Sequence, residues 1–164
     1  MSALLLQVVL IFLNAVFASA EIAVISVSDA KLAKLEEDGN KKAKKLKKLT
    51  ENPANFLATI QIAITLSGFL ASAFAAENFS DDLTEFILST GFTAVSPQVL
   101  NSVSVVVITL LLSYFTLVFG ELVPKRVAMK KTEQLALGVA SLITVISKVC
   151  APVVWILTAS TNGV

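Results

Sequence analysis

The sequence predicts an all-α membrane protein, with three transmembrane helices and cytoplasmic juxtamembrane helices. Three observations lead there. Hydrophobic residues fill 55% of the 164 positions and charged residues only 15%, too apolar a balance for an ordinary water-soluble domain. The apolar residues gather into runs long enough to cross a bilayer, which takes about 20 residues at a rise of about 1.5 Å each. The thirteen Lys and Arg fall in two clusters, 31–48 and 125–131, plus Lys148, so the net charge of +1 conceals a strong asymmetry.

The first span is residues 3–28, apolar or small apart from Gln7, Asn14, Glu21 and a few serines. The second is 54–76 and the third 99–123. Loop 29–53 holds eight lysines, loop 77–98 holds Glu77, Asp81, Asp82 and Glu85 with no Lys or Arg, and Lys125, Arg126, Lys130 and Lys131 come after the third span. The positive-inside rule then puts the N-terminus and loop 77–98 outside the cell membrane, and loop 29–53 and everything from 125 onward in the cytoplasm. Ala18-Ser19-Ala20 resembles a signal-peptidase site, but a removable leader is opposed by the absence of a basic n-region, by an apolar run that continues to Val27 and by the lysine block that would be exported.

Residues 30–50 read as two short helices, 30–35 and 41–49, broken at Asp38-Gly39-Asn40. Leu32, Leu35, Leu46 and Leu49 alternate with lysines there, which suggests amphipathic pieces on the inner leaflet. Residues 134–161 are apolar enough for a fourth span but are interrupted by Gly138, Lys148 and Pro152. On these residues alone the segment either crosses or bends at Pro152 and wraps the bundle, with Trp155 at interfacial level in both cases.

Composition also excludes chemistry. There is no histidine and one cysteine, which removes the usual Zn, Cu, haem and iron–sulfur ligand sets and His-based triads. Cys150 reads as a small packing residue, and a bound metal would be a hard cation held by oxygen. The lysines flank spans and form no nucleic-acid surface, and no constellation suggests an enzyme. A lytic pore fails because no span carries a continuous charged lumen face.

Ionisable residues inside spans are costly and mark functional sites. Here they are Glu21 and Glu121, and no Lys or Arg lies deep in a span to neutralise them. Asn14, Glu21 and Ser28 recur every seven residues on one helical face. Gln61, Thr65, Gly68 and Ser72 share another, and Thr109, Ser113, Thr116 and Gly120 a third that runs into Glu121 and Pro124. Three such stripes can face one another in the inner half of the bilayer. The bland reading is close helix contact, which Gly68-xxx-Ser72-xxx-Ala76 fits by itself. Pro124 has no N–H for the carbonyl of Gly120, so that oxygen is freed beside Glu121, and broken helices of this kind build cation sites in transporters.

The chain resembles the membrane domain of the CNNM/CorC family (cyclin M-like, hemolysin-related magnesium transport mediators). The resemblance rests on Phe17-Ala18-Ser19-Ala20-Glu21-Ile22-Ala23, on Asn52-Pro53 followed by Phe56-Leu57-Ala58-Thr59-Ile60-Gln61-Ile62, on Thr65-Leu66-Ser67-Gly68-Phe69-Leu70-Ala71-Ser72-Ala73 and on Phe119-Gly120-Glu121-Leu122-Val123-Pro124-Lys125. It covers nearly all of residues 1–164 and implies a homodimeric three-span domain that exports Mg²⁺, coupled to Na⁺ moving inward. It also implies a cytoplasmic CBS-domain pair after residue 164, through which ATP would bind, and favours an interfacial belt for 134–161. The expected metal ligands are Glu121 first, then Ser19, Glu21, Ser67 and the carbonyl of Gly68, supported by Asn14, Thr65, Gly120 and Pro124. The competing expectation is a non-transporting membrane anchor that dimerises and positions a cytoplasmic regulatory module.

Overall fold

The computed structural model describes residues 3–91 and 95–162. Helix α1 spans Ala3–Ile25, α2 Asp29–Glu37, α3 Lys41–Thr50, α4 Pro53–Ser89 and α5 Pro97–Leu117. A π turn over Val118–Leu122 joins α5 to α6, Val123–Lys130, and α7 occupies Thr132–Asn162.

Local chemistry sets most of these boundaries. Gly39 takes φ 83°, a left-handed value that glycine adopts without steric penalty. The Asn40 side chain then accepts from the backbone N–H groups of Lys42 and Ala43 to start α3. Asn52 accepts from the N–H of Asn55, with Pro53 as the first residue of α4. Ser96 and Pro97 open α5 in the same way. Nothing between Ala76 and Ser89 breaks a helix, so α4 continues for 37 residues, about 55 Å at 1.5 Å per residue. The acidic stretch expected as part of loop 77–98 is therefore the end of α4, and the chain reverses at Gly91, φ 84°. Phe92, Thr93 and Ala94 of that loop lie outside the described residues.

The surface inverts that of a water-soluble protein. Leu4, Phe12, Phe69, Leu110, Tyr114, Val149 and Trp155 are exposed, while Gln7, Asn14, Ser67 and Ser104 are buried. Apolar side chains turned outward, with polar groups withdrawn into the bundle, are what lipid as solvent demands. Four helical stretches among the described residues are long and apolar enough to cross a bilayer: Ala3–Ile25, Pro53–Ser89, Pro97–Lys130 and Thr132–Leu157.

The core lies at the end of the bundle that carries the lysines. Ala18, Ala20, Ala23 and Val24 of α1 meet Leu32 of α2, Ala43 and Leu46 of α3, Phe56, Ile60 and Ile64 of α4, Ala128 of α6, and Ala136, Ala140 and Ile143 of α7. Leu32 and Leu46 are thus buried in protein, not in the inner leaflet as their alternation with lysine suggested. Docking on the bundle satisfies the same apolar stripe that lipid would. Helix α7 packs against α3, α1 and α4. Lys31 pairs with Glu133 at 2.6 Å and Lys45 donates to Ser141 at 3.2 Å. Helix α7 runs through Pro152 without ending there. Between α2 and α3, Glu36 accepts from Lys47 at 2.6 Å and holds that ammonium's pKa above the usual lysine value.

On α4 the buried small residues include Ala63, Ser67, Ala71 and Ala75, spaced by four, a pattern that lets helix backbones approach. This stripe lies one residue away from the Gly68–Ser72–Ala76 line expected to make that contact. An ideal Cβ on Gly68 would meet nothing within 4 Å.

Candidate cation site

Gly68 and Ser72 face a cavity of about 380 Å³ between α1, α4 and α5 with its π turn. Its polar walls are Asn14 from α1, Thr65, Gly68 and Ser72 from α4, and Ser113, Thr116 and Glu121 from α5 and the π turn, with Ile64, Phe69 and Leu117 as apolar neighbours. The polar faces of the three predicted spans therefore converge at one place. Thr65 also accepts from Gln61 at 3.4 Å.

The π turn shapes the cavity's lower wall. Within it the N–H of Val123 donates to the carbonyl of Val118, five residues back, and Pro124 donates nothing. The carbonyl of Gly120 is turned towards α1, where Asn14 Nδ2 donates to it at 3.3 Å. Asn14 is 3% exposed, yet its Oδ1 has no hydrogen-bond partner among the described residues. A buried acceptor bordering a cavity without a donor is costly unless something fills that role.

Both intramembrane glutamates have a counter-ion, contrary to the sequence expectation. Lys125 Nζ lies 2.8 Å from Glu121 Oε1 and 3.0 Å from Glu21 Oε2. Two things hid this. The third helix does not stop near 123 but continues to Lys130, so Lys125 is still on a helix one turn below Glu121 and reaches back along it. The i,i+4 spacing of Glu121 and Lys125 was the available signal. The approach of Lys125 to Glu21 depends on how two distant helices are rotated, which spacing does not report.

The remaining expected ligands are distributed unevenly. Glu121, Gly68, Asn14 and Thr65 border the cavity, while Gly120 lies buried behind Asn14 and Pro124 comes just after the π turn. Glu21 stands below, joined to the cavity through Lys125. Ser67 is buried in the small-residue stripe, and the hydroxyl of Ser19 is turned back onto the carbonyl of Ala15 at 2.7 Å. Ser72, Ser113 and Thr116 offer hydroxyl oxygens to the cavity that the ligand expectation did not include. Among the described residues no three His, Cys, Asp or Glu side chains form a cage. The oxygen set is therefore one carboxylate on the cavity wall with an amide and hydroxyls, the ligand chemistry that hard cations take.

Comparison with known proteins agrees with this architecture. The profile of the cyclin M transmembrane N-terminal domain matches residues 5–164. The chain belongs to that family. Within the cyclin M and UPF0053 proteins, it is 37% identical over 156 residues to a UPF0053 protein of Synechocystis, covering 95% of this chain and 34% of that protein. It is 29% identical over 150 residues to the polyamine export protein of Haemophilus influenzae, covering 90% and 33%. To an inner membrane UPF0053 protein of Escherichia coli it is 25% identical over 150 residues, covering 92% and 31%. The chain spans about a third of the length of the curated relatives it matches.

Proposed function

We propose that the chain is the membrane domain of a cation exporter whose cargo is Mg²⁺, with Na⁺ as the coupling ion, and that the cavity around Glu121 is the transport site. The observation that carries this reading is the carboxylate of Glu121 beside the unpartnered Asn14 Oδ1, within a bundle otherwise turned apolar-side out. A cation there would gain one full charge, one amide oxygen and up to four hydroxyls, and would have to shed part of its hydration shell.

In this reading α1, α4 and α5–α6 cross the bilayer with the N-terminus outside, and α7 lies along the cytoplasmic face. If α7 crossed as well, Trp155 would stand about 33 Å from Glu133 along the membrane normal, at 1.5 Å per residue. What supports the reading is that Glu133 pairs with Lys31, Ser141 with Lys45, and Ser147 and Trp155 share a cleft with Lys48, Asn52 and Asn55. All of these partners belong to the lysine-rich end. The exposed apolar residues of α5, among them Val99, Val103, Val106 and Leu110, offer surface to lipid and to a second copy in a homodimer.

A second reading has an observation of its own. The Lys125 ammonium between two carboxylates is the kind of pairing that would hold an alkylammonium group, and one relative is named a polyamine export protein. The test is flux from sealed vesicles that contain the purified chain, loaded in parallel with Mg²⁺ and with spermidine. Efflux of Mg²⁺ that depends on Glu121 supports the first reading, spermidine efflux alone supports the second, and absence of both leaves a membrane anchor.

A further inference from the structure

Lys125 is the one described cation that touches both intramembrane carboxylates. Two carboxylates and one ammonium leave a net charge of −1 at and just below the cavity's lower wall. The three side chains are 21% to 32% exposed, so they are largely withdrawn from solvent. A second cation drawn to Glu121 would face an ammonium already in place 2.8 Å from Oε1. The two would be like charges held against one carboxylate, and their repulsion sets them in competition.

The two contacts of Lys125 are unequal. It donates a hydrogen bond to Glu121 at 2.8 Å, whereas Glu21 Oε2 lies farther off at 3.0 Å and has no other partner among the described residues. Glu21 therefore holds unused acceptor capacity beside the ammonium. Lysine is a point charge on a flexible four-carbon stem, so a small rotation would strengthen the Glu21 contact while releasing Glu121. The ammonium would stay paired in both positions, which matters because an unpaired charge here is costly.

We propose that Lys125 is a tethered competitor of the cargo cation: it occupies Glu121 while the cavity is without cargo, swings onto Glu21 when a cation binds, and returns as the cation leaves. This rests on the cation-site reading above and adds a release step to it. Without a stand-in, departure of the cargo would leave two half-buried carboxylates unneutralised, and the site would hold its cation too tightly to turn over.

The test is a Mg²⁺ titration of protection against proteolysis with the purified chain in lipid vesicles, run with Mg²⁺ efflux on the same samples. Lys125→Met keeps the stem and removes the charge. Its half-protecting Mg²⁺ concentration should fall by roughly tenfold or more, the scale of one charge-assisted hydrogen bond no longer opposing binding, while efflux slows. Lys125→Arg keeps the charge, and so the fold, but grips a carboxylate through a two-pronged fork; it should need more Mg²⁺ than the parent. A residue that merely props the helices would weaken binding on removal, so a half-protecting concentration unchanged or raised in Lys125→Met overturns the proposal. If that variant does not fold without Mg²⁺, an unchanged Lys125→Arg titration overturns it. Glu121→Gln separates the two levels. Loss of protection there with unshifted Lys125 variants refutes the competitor alone, and intact protection there refutes the cation site with it.

Discussion

Asn14 and Gly120 meet across the contact between α1 and the π turn: the amide of one donates to the carbonyl of the other at 3.3 Å, and a side chain on the glycine would crowd that contact. A Cβ on Gly120 would lie 3.1 Å from Asn14 Nδ2 and 3.4 Å from the carbonyl oxygen of Ile11. Gly120→Ala should therefore push α1 and the π turn apart by a few tenths of an ångström, destabilise the fold by about 1–3 kcal/mol as overpacking does, and weaken Mg²⁺ protection. Unchanged melting and unchanged Mg²⁺ protection would mean that this contact does not shape the cavity.

Glu121→Gln retains an oxygen acceptor but removes the wall's carboxylate charge. Mg²⁺ protection against heat should be lost, since a ligand that binds only the folded form stabilises it by mass action. Without Mg²⁺ the variant should be less stable than the parent by about 1 kcal/mol, because the acceptor of Lys125 loses its charge while Glu21 keeps its own. Melting curves with and without Mg²⁺ read both effects. Glu21→Gln should retain most Mg²⁺ protection, because Glu21 stands below the cavity; loss equal to that of Glu121→Gln would make it a ligand.

The two small-residue lines of α4 predict opposite outcomes. Gly68→Ala meets nothing within 4 Å and replaces a poor helix former by the best one, so the fold should gain up to about 1 kcal/mol. Ala71 is 1% exposed, and Ala71→Leu should cost about 1–3 kcal/mol through overpacking. Denaturation of the two variants in lipid or detergent checks which line is the helix contact.

Topology is testable by thiol labelling from outside the cell after replacing Cys150 with alanine. Glu85→Cys should react with an impermeant reagent, and Lys44→Cys should react only when the membrane is opened. Ser160→Cys, near the end of α7, should behave like Lys44→Cys if α7 lies along the cytoplasmic face. Outside labelling of Ser160→Cys would make α7 a fourth span.

Much of the fold is legible along the chain because it is local. Runs of apolar residues mark the long helices, Gly39-Asn40 and Asn52-Pro53 mark helix starts through turn and cap chemistry, and the lysine clusters sort the ends. The helical period likewise places Asn14, the Thr65–Gly68–Ser72 line and the Ser113–Thr116–Glu121 line on single faces, and those faces meet at the cavity. Periodicity is silent where length depends on a missing breaker, so the acidic residues after Ala76 look like loop in the sequence although α4 continues to Ser89.

Residue order is enough to say which helices form, which end carries the lysines, and that oxygen-bearing side chains and two glutamates sit within apolar segments. Assembly of the bundle settles the rest. It makes Lys125 the partner of both glutamates, gives Asn14 the carbonyl that Pro124 leaves free, and turns Ala63–Ser67–Ala71–Ala75 rather than Gly68–Ser72–Ala76 into the buried seam. It also rests α7 against the lysine-rich helices. The physical reason is rotation. A helix apolar on nearly all sides carries little information about which side turns inward, and the extra residue of a π turn rotates the helix beyond it by about 100°, one residue's share of a 3.6-residue turn. Contacts between residues about a hundred positions apart are set by those rotations, which only the assembled bundle fixes.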